Sequence, residues 1–443
     1  MNNNKEFPTV NIGLIGCGVV GQGVWKNLEA YREGLEKRVG SSLQITRIAI
    51  RDIDKAVQAG IPKELLTTKP EEIVDDASIQ IICELMGGIE PALSLTKKAF
   101  QNGKIVVTAN KALVCDHGSE LFEIARQNDA DYFYEASVAG GIPIIKTLHE
   151  GLVANRFKQI FGILNGTSNY ILTRMEREGL DFQPILEDAR KLGYVEYDES
   201  LDLDGIDAAH KTVILAFLAH GQWIQLSDMR IEGIRKLNKL DFEIASNMGF
   251  KIKLIAEITR DFRNNQLTAG VFPCLISQKE KIAHVDEVFN GISVSGDIAG
   301  ETVMIGRGAG QNPTSSSVIS DICDAVQALK GGPKLTEIFT PCEESADLKI
   351  SSLDKIIGKF YFRIKATDAP GVLAKIAEVL ANNQVSIATL NQKESNDKNG
   401  TASIMLTTHK ATEQNALDTV KKLASLEFVV EEPVMIRIFN RVK

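Results

Sequence analysis

A chain of 443 residues is too long for one hydrophobic core and predicts two or three domains. Its 44% hydrophobic and 24% charged residues suit an ordinary globular protein, and a net charge of −8 argues against a nucleic-acid surface. No run is long and apolar enough for a bilayer, and the opening MNNNKEFPTV lacks the apolar core of a signal peptide, so a cytoplasmic protein with no membrane partner is expected. Cys17, Cys83, Cys115, Cys274, Cys323 and Cys342 are scattered singly and read as reduced, mostly core residues. The six histidines are equally dispersed.

The first element is a short apolar strand, Thr9 to Ile15, running into Gly16-Cys17-Gly18-Val19-Val20-Gly21 and then a helix from Gln22 to about Leu35. Strand, glycine turn and helix together give GxGxxG its meaning. Gly16 permits the tight turn, Gly18 lets backbone approach a pyrophosphate, and Gly21 allows close helix–strand packing. A second strand, Leu43 to Ile50, ends at Arg51-Asp52. The acid suits the ribose hydroxyls of NAD and the arginine the extra phosphate of NADP, so both cofactors stay open, with Arg51 favouring tolerance of NADP. Apolar strands at Ile79 to Leu85 and Lys104 to Thr108, with a helix from Pro91 to Asn102 between them, continue a βαβ rhythm and imply a parallel sheet. Lys111 lies just past a strand's carboxyl end, where open α/β sheets bind ligands.

A strand at Tyr132 to Tyr134 leads into Glu135-Ala136-Ser137-Val138-Ala139-Gly140-Gly141-Ile142-Pro143-Ile144. This irregular loop offers carbonyls to a ligand or an alkali cation, or is a plain turn into a helix at Ile144. Phe157 to Leu164 reads as the strand on which a substrate domain is built. Asn165 to Tyr170 caps a helix from Ile171 to Glu178 and offers hydroxyls and amides to a polar substrate. Next, LGYVEYDESLDLDGIDAAHK packs Glu196, Asp198, Glu199, Asp202, Asp204 and Asp207 into one span, with Lys211 a turn beyond Asp207. Asp204 reads as the N-cap of a helix running to His220, with Asp207 as the acid three positions on. That helix is apolar nearly all round and therefore buried, so Asp207 and Lys211 form either a structural pair or a functional one.

Further on come a helix (Asp241 to Met248), strands (Ile252 to Thr259, Leu267 to Ile276), a turn-rich Gly306 to Thr314, and a helix from Ser315 to Leu329. The polar segment to Lys355 is the linker candidate. The remainder reads strand (Lys359 to Ile364), helix (to Asn382), strand (Val385 to Asn391), strand (Thr401 to Thr407), helix (Glu413 to Leu423), strand (Phe428 to Ile438). This is the ferredoxin-like order. The fold class is therefore α/β, with a Rossmann-type parallel sheet at 1–135 and an α+β substrate domain at 136–330. A linker at 331–355 and a ferredoxin-like domain at 356–443 follow.

TANKALV, EASVAGGIPI, LNGTSNYIL, LGYVE with DLDGIDAAHK, and GRGAGQNPT occur in that order along nearly the whole chain. In this the sequence resembles the bacterial homoserine dehydrogenases that carry a C-terminal ACT regulatory domain. The resemblance implies NAD(P)H-dependent reduction of aspartate 4-semialdehyde to homoserine, on the route to threonine, methionine and isoleucine. It implies that Gly16, Gly18, Val19, Val20 and Gly21 hold the dinucleotide, with Val19 and Arg51 near its ribose. Lys111 and Lys211 match the family's active-site lysines, Lys211 being the proton donor. Glu196 and Asp207 match the homoserine-binding acids, with Asp202 nearby, and Gly193 and Gly310 match glycines beside cofactor and substrate. Glu135, Val138, Gly140 and Ile142 match a sodium-binding loop. Asp368, Gly371, Val372 and Gln392 are the contacts implied for threonine, the expected effector; a homodimer or homotetramer is expected, with dimerisation through the 136–330 domain, whose last helix returns to the Rossmann domain. Arg307 replaces the family's usual proline, and DESLDL stands where many members begin with Asp-Pro. No aspartokinase portion is expected from the length.

The chemistry suits these residues. Aldehyde reduction needs a hydride from the cofactor and a proton for the nascent alkoxide, which a lysine in a desolvated pocket can give. The substrate's ammonium needs carboxylates. The competing readings are a dehydrogenase of another amino-acid intermediate, a non-catalytic amino-acid sensor that kept both folds, and an ACT-like module that only dimerises.

Overall fold

A computed structural model describes residues 7–195, 198–332, 348–351, 355–393 and 400–441. The chain forms two compact units. The first comprises residues 1–155, 213–223 and 304–347, the second 156–212, 224–303 and 348–443.

The first unit is built on six parallel strands: β1 (Thr9–Ile15), β2 (Ser42–Ala49), β3 (Leu66–Thr67), β4 (Ile81–Glu84), β5 (Ile105–Thr108) and β6 (Tyr132–Phe133). Their order is β3-β2-β1-β4-β5-β6, so the chain reverses direction across the sheet between β1 and β4. Ligands of doubly wound sheets bind outside the carboxyl ends at this point. β4 and β5 are buried at every position, as expected of parallel strands covered on both faces. One face is covered by the Val19–Val39 and Gln311–Leu329 helices, whose Val24, Leu28, Val318, Ile322 and Ala325 pack on Ile12, Leu14, Ile81 and Val107. The second of these helices thus comes from far along the chain.

The second unit holds β7 (Phe157–Ile163), β8 (Arg230–Ile231), β9 (Phe250–Asp261), β10 (Gln266–Ser277) and β11 (Phe289–Gly296), then β12 (Gly300–Arg307), which runs past its boundary. β13 (Lys349–Ile350), β14 (Ile357–Thr367), β15 (Ile387–Lys393), β16 (Thr401–Thr408), β17 (Ala411–Thr412) and β18 (Val434–Ile438) complete it. One mixed sheet runs β12-β11-β7-β9-β10-β18-β14-β16-β15. Its last four strands, with the Val372–Asn382 and Glu413–Ala424 helices, have the ferredoxin-like order and their own core around Phe360, Phe362, Ile376, Leu406 and Leu423. β18 pairs in parallel with β10 at Cys274↔Arg437, so this module extends the central sheet directly. A buried Arg363, bound to Asp241 at 2.8 Å and to the Lys236 carbonyl at 2.9 Å, ties the same two parts together.

Several boundaries differ from those read in the sequence. Asp204 does not cap the helix, which runs Ile206–His220 behind Gly205 at φ +84°; its carboxylate instead meets Arg235 at 2.6 Å. The helix after Asn165 begins at Gly166, not Ile171, and the Ser315 helix begins at Gln311. The last strand begins at Val434, after Pro433, which has no amide to give a ladder. Among the elements the pattern does not show are the Lys111–Gln127 and Phe182–Lys191 helices, β11 and β12. Pro184 sits in the first turn of the second of these helices, where a missing amide costs nothing. The two strands are broken up by Gly and Ser. Cys17, Cys83 and Cys274 are buried free thiols, Cys115 and Cys323 are partly buried, and Cys342 lies outside the described residues. No helix among the described residues is long and apolar enough to cross a membrane.

Candidate active site

In the first unit the glycine turn is shaped for an anion. Gly16 sits at φ +101°, and a Cβ there would lie 2.6 Å from the Leu85 carbonyl oxygen. Only glycine fits both the backbone angle and the space. A Cβ on Gly21 would strike the Gly16 carbonyl, whereas one on Gly18 would meet nothing, so the open side of the loop is at Gly18. The Val19–Val39 helix starts there with no side-chain cap and no acid in its first turn. Its amide end and dipole face outward past an exposed Val19, which suits a pyrophosphate. Val20 lies behind them against the core.

Gly310, at φ +115°, opens the Gln311–Leu329 helix, and Gly23 of the first helix packs so closely on Gln311 that a Cβ would lie 2.8 Å from it. The structure therefore sets the start of the Gln311–Leu329 helix, just after Gly310, against the early turns of the Val19–Val39 helix. Asp52 caps the short Ile53–Gln58 helix by accepting from the Lys55 amide at 3.0 Å. Arg51 beside it is exposed.

Across the strand reversal, the exits of β4 and β5 are laced together. Glu84, 1% exposed, accepts from the Met86 amide at 2.9 Å and the Thr108 hydroxyl at 2.7 Å. Thr108 Oγ1 accepts from the Asn110 amide at 2.9 Å, and the Asn110 side chain donates to the Gly88 carbonyl at 2.8 Å. Asn110 Oδ1 caps the Lys111–Gln127 helix, so Lys111 is that helix's first residue.

Glu135 is buried and accepts from the Ile145 and Lys146 amides at 2.9 and 2.8 Å. Burial raises its carboxyl to about 7, against those hydrogen bonds. The Gly140 carbonyl accepts from Ser317 and the Ile142 carbonyl from the Ile144 amide. Val138 N–H donates to the Glu135 carbonyl. Both Glu135 oxygens and the Gly140 and Ile142 carbonyls each accept one hydrogen bond, which leaves lone pairs on carbonyls and a carboxylate, the oxygen types that suit a hard cation. Gly140 and Gly141 press against the 307–313 segment, Gly141 donating to the Arg307 carbonyl at 2.9 Å.

In the second unit, β7 ends at Ile163 and delivers the Leu164 carbonyl and Asn165 to the opening of the Ile206–His220 helix. Lys211 Nζ donates to Asp207 Oδ2 and to the Leu164 carbonyl, both at 2.7 Å. Asn165 Nδ2 donates to Asp202 Oδ1 at 2.7 Å and to Asp207 Oδ2 at 2.9 Å, while its Oδ1 caps the Gly166–Glu178 helix through the Ser168 amide at 2.8 Å. Asn165, Asp202, Asp207 and Lys211 are all buried. The pair Asp207–Lys211 is thus a helical i,i+4 ion pair in geometry, but a desolvated one, held by a third residue that also holds a second acid.

The sequence marks Asn165 as a helix cap; its link to acids 37 and 42 residues away carries no local signal. Other polar groups of LNGTSNYIL are engaged by backbone carbonyls. Asn169 donates to the carbonyls of Val285, Glu287 and Phe289, and Thr167 to that of Tyr194. Gly193, at φ +74°, ends the Phe182–Lys191 helix with open space where a Cβ would be. Glu196 lies outside the described residues.

In the ferredoxin-like module, Gln392 reaches Asp368 at 3.4 Å, and Gly371, at φ +90°, opens the helix that begins at Val372. These four residues gather at one exposed end of β14 and β15.

Comparison with known proteins matches three family models along the chain. Residues 16–135 match the family described as homoserine dehydrogenase, NAD binding domain, residues 143–323 the homoserine dehydrogenase family, and residues 360–428 the ACT domain family. The homoserine dehydrogenase of Synechocystis sp. is 39% identical over 98% of this chain and 100% of its own length. That of Bacillus subtilis is 34% identical over 96% and 97%. A homoserine dehydrogenase crystal structure from Thiobacillus denitrificans, 39% identical, superposes with a TM-score of 0.90 over 98% of this chain and 99% of that one. A hyperthermophilic archaeal homoserine dehydrogenase in complex with NADPH, 27% identical, superposes at 0.63 over 74% and 99%. On this evidence the chain belongs to the homoserine dehydrogenase family of NAD(P)-dependent oxidoreductases, with an ACT domain at its C-terminal end.

Proposed function

We propose that the chain reduces L-aspartate 4-semialdehyde to L-homoserine with NADPH or NADH, on the way to threonine and methionine, and that threonine feeds back through the ACT domain. The observation that carries the catalytic part is Lys211, a buried ammonium fixed between a carbonyl and Asp207, which Asn165 joins to Asp202. The dinucleotide, when bound, supplies the hydride. Lys211 gives the proton that the nascent alkoxide needs, and its two short hydrogen bonds aim the ammonium without conformational search. Asp207, Asp202 and Glu196 supply negative charge for the substrate's ammonium.

Gly16, Gly18, Val19, Val20, Gly21 and Gly310 form the dinucleotide cradle, with Lys111 and Gly193 beside cofactor and substrate. Asp52 already caps a helix, which leaves Arg51 for the extra phosphate of NADP and favours NADPH. For threonine, Asp368 suits the ammonium and Gln392 the polar end, while the Gly371–Val372 helix start receives the carboxylate. β15 is the open edge of its sheet and offers a strand to a second copy, in keeping with a homodimer or homotetramer. The test is cofactor oxidation with aspartate 4-semialdehyde and other aldehydes, with each dinucleotide, with and without threonine. Turnover confined to a different aldehyde would refute the substrate, and a rate indifferent to saturating threonine would refute the effector.

A further inference from the structure

Glu84 is a fully buried acid that the proposed chemistry does not use, yet it stands where three segments of the cofactor-binding unit meet. Its two carboxylate oxygens accept from the Met86 amide of the β4 exit and the Thr108 hydroxyl of the β5 exit. Through Thr108 the same contact reaches the Asn110 amide, and Asn110 both caps the Lys111 helix and holds the Gly88 carbonyl. The Leu85–Met86 peptide, in turn, is the wall against which Gly16 is packed, 2.6 Å from the oxygen to a Cβ built there. One side chain therefore fixes the floor of the glycine turn and the start of the Lys111 helix relative to each other. An apolar residue would fill this space at far lower desolvation cost, so the acid is retained for its hydrogen bonds.

We propose that Glu84 is a positioning residue for the dinucleotide: its ionised carboxylate holds the β4 and β5 exits in the arrangement that receives the cofactor, and its protonation loosens them. A carboxylate accepts from both donors; once protonated on the Thr108 side it becomes the donor, so the Thr108 hydroxyl, whose oxygen already accepts from the Asn110 amide, must turn its own proton away. Burial pushes the Glu84 carboxyl up to about 7, against the lowering effect of Thr108, the Met86 amide and Asn110. From β6 the Tyr132 phenol faces it and stays protonated, its own pKa raised well above the ordinary value by burial and by Glu84. Lys111 is the first residue of the helix that Asn110 caps. The switch thus falls in the neutral range, with the holding state on the alkaline side.

The inference rests on the dinucleotide reading of this unit. NADH is the probe, because it lacks the extra phosphate, whose own titration near neutrality would confuse the result. Its dissociation constant is measured by fluorescence for wild type, E84Q and T108V at about pH 6 and about pH 8, with circular dichroism to check folding. Wild type is expected to bind NADH several-fold more tightly at the higher pH, and E84Q to bind about tenfold more weakly there, with no dependence on pH, having lost one charge-assisted hydrogen bond. T108V removes a donor that favours the ionised form, so its midpoint moves to higher pH. An E84Q that binds as wild type does, or keeps the wild-type pH dependence, overturns the inference. Should E84Q not fold, an unmoved midpoint in T108V overturns it. A wild type that binds neither NADH nor NADPH instead overturns the dinucleotide reading itself.

Discussion

Replacing Lys211 by Met keeps the stem and deletes the ammonium. Two 2.7 Å hydrogen bonds are lost, to Asp207 Oδ2 and to the Leu164 carbonyl. The larger consequence is electrostatic. Asp207 is left as a buried carboxylate that has lost its cation, while Asn165 Nδ2, 2.9 Å away, is shared with Asp202. Removing one partner of a buried ion pair costs about 3–5 kcal/mol. If Lys211 were only structural, that would be the whole effect, and neutralising Asp207 would reverse it. As the proton donor, Lys211 adds a separate loss of about 100- to 10,000-fold in kcat. The two are separated by comparing K211M with the double variant D207N/K211M, in melting temperature and in initial rates of NADPH oxidation with aspartate semialdehyde. The double variant is expected to regain most of the lost stability and none of the turnover. Wild-type kcat in K211M, or turnover returning with stability in the double variant, would refute the catalytic role.

Three further outcomes are expected. R51A raises the KM for NADPH about tenfold, the loss of one charge-assisted contact, while the KM for NADH stays put; equal effects on both would place Arg51 away from the phosphate. Glu84 has a folded pKa raised from 4.5 to about 7, so the stability it allows is fully present below the unfolded value and about 3 kcal/mol is lost as pH rises through 7. E84Q should therefore flatten the fall in melting temperature between about pH 5 and about pH 8, and an unchanged slope would contradict that sign. D368N should abolish threonine inhibition with the basal rate intact, as steady-state inhibition curves would register.

What was legible in the sequence followed from local chemistry. The glycine turn announced itself because the Gly16 backbone angle and the packing of Gly21 on the Gly16 carbonyl are demands of their own βα unit, and the ferredoxin-like order followed from simple periodicity. What was hidden depends on contacts between distant segments. Asn165 reads as a cap, and nothing near it says that its amide reaches Asp202 and Asp207. Glu84 reads as one more residue of a buried strand, since the partners that make it a junction lie on the next strand exit. Asp204 was misassigned as a cap because the acid-glycine pattern before a helix is ambiguous, and Arg235, 31 residues on, decided it. The joining of β18 to β10 was likewise unforeseeable, because pairing between modules leaves no periodic trace.

The central claim is that the buried lysine and its acids recognise an amino aldehyde and protonate its reduction product. It is tested most directly by NADPH oxidation with aspartate 4-semialdehyde beside succinate semialdehyde, the same aldehyde without its amino group. Removing the ammonium leaves the site's carboxylates without their partner, so kcat/KM for the second substrate should fall at least about a hundredfold. Equal kcat/KM for the two would contradict the claim.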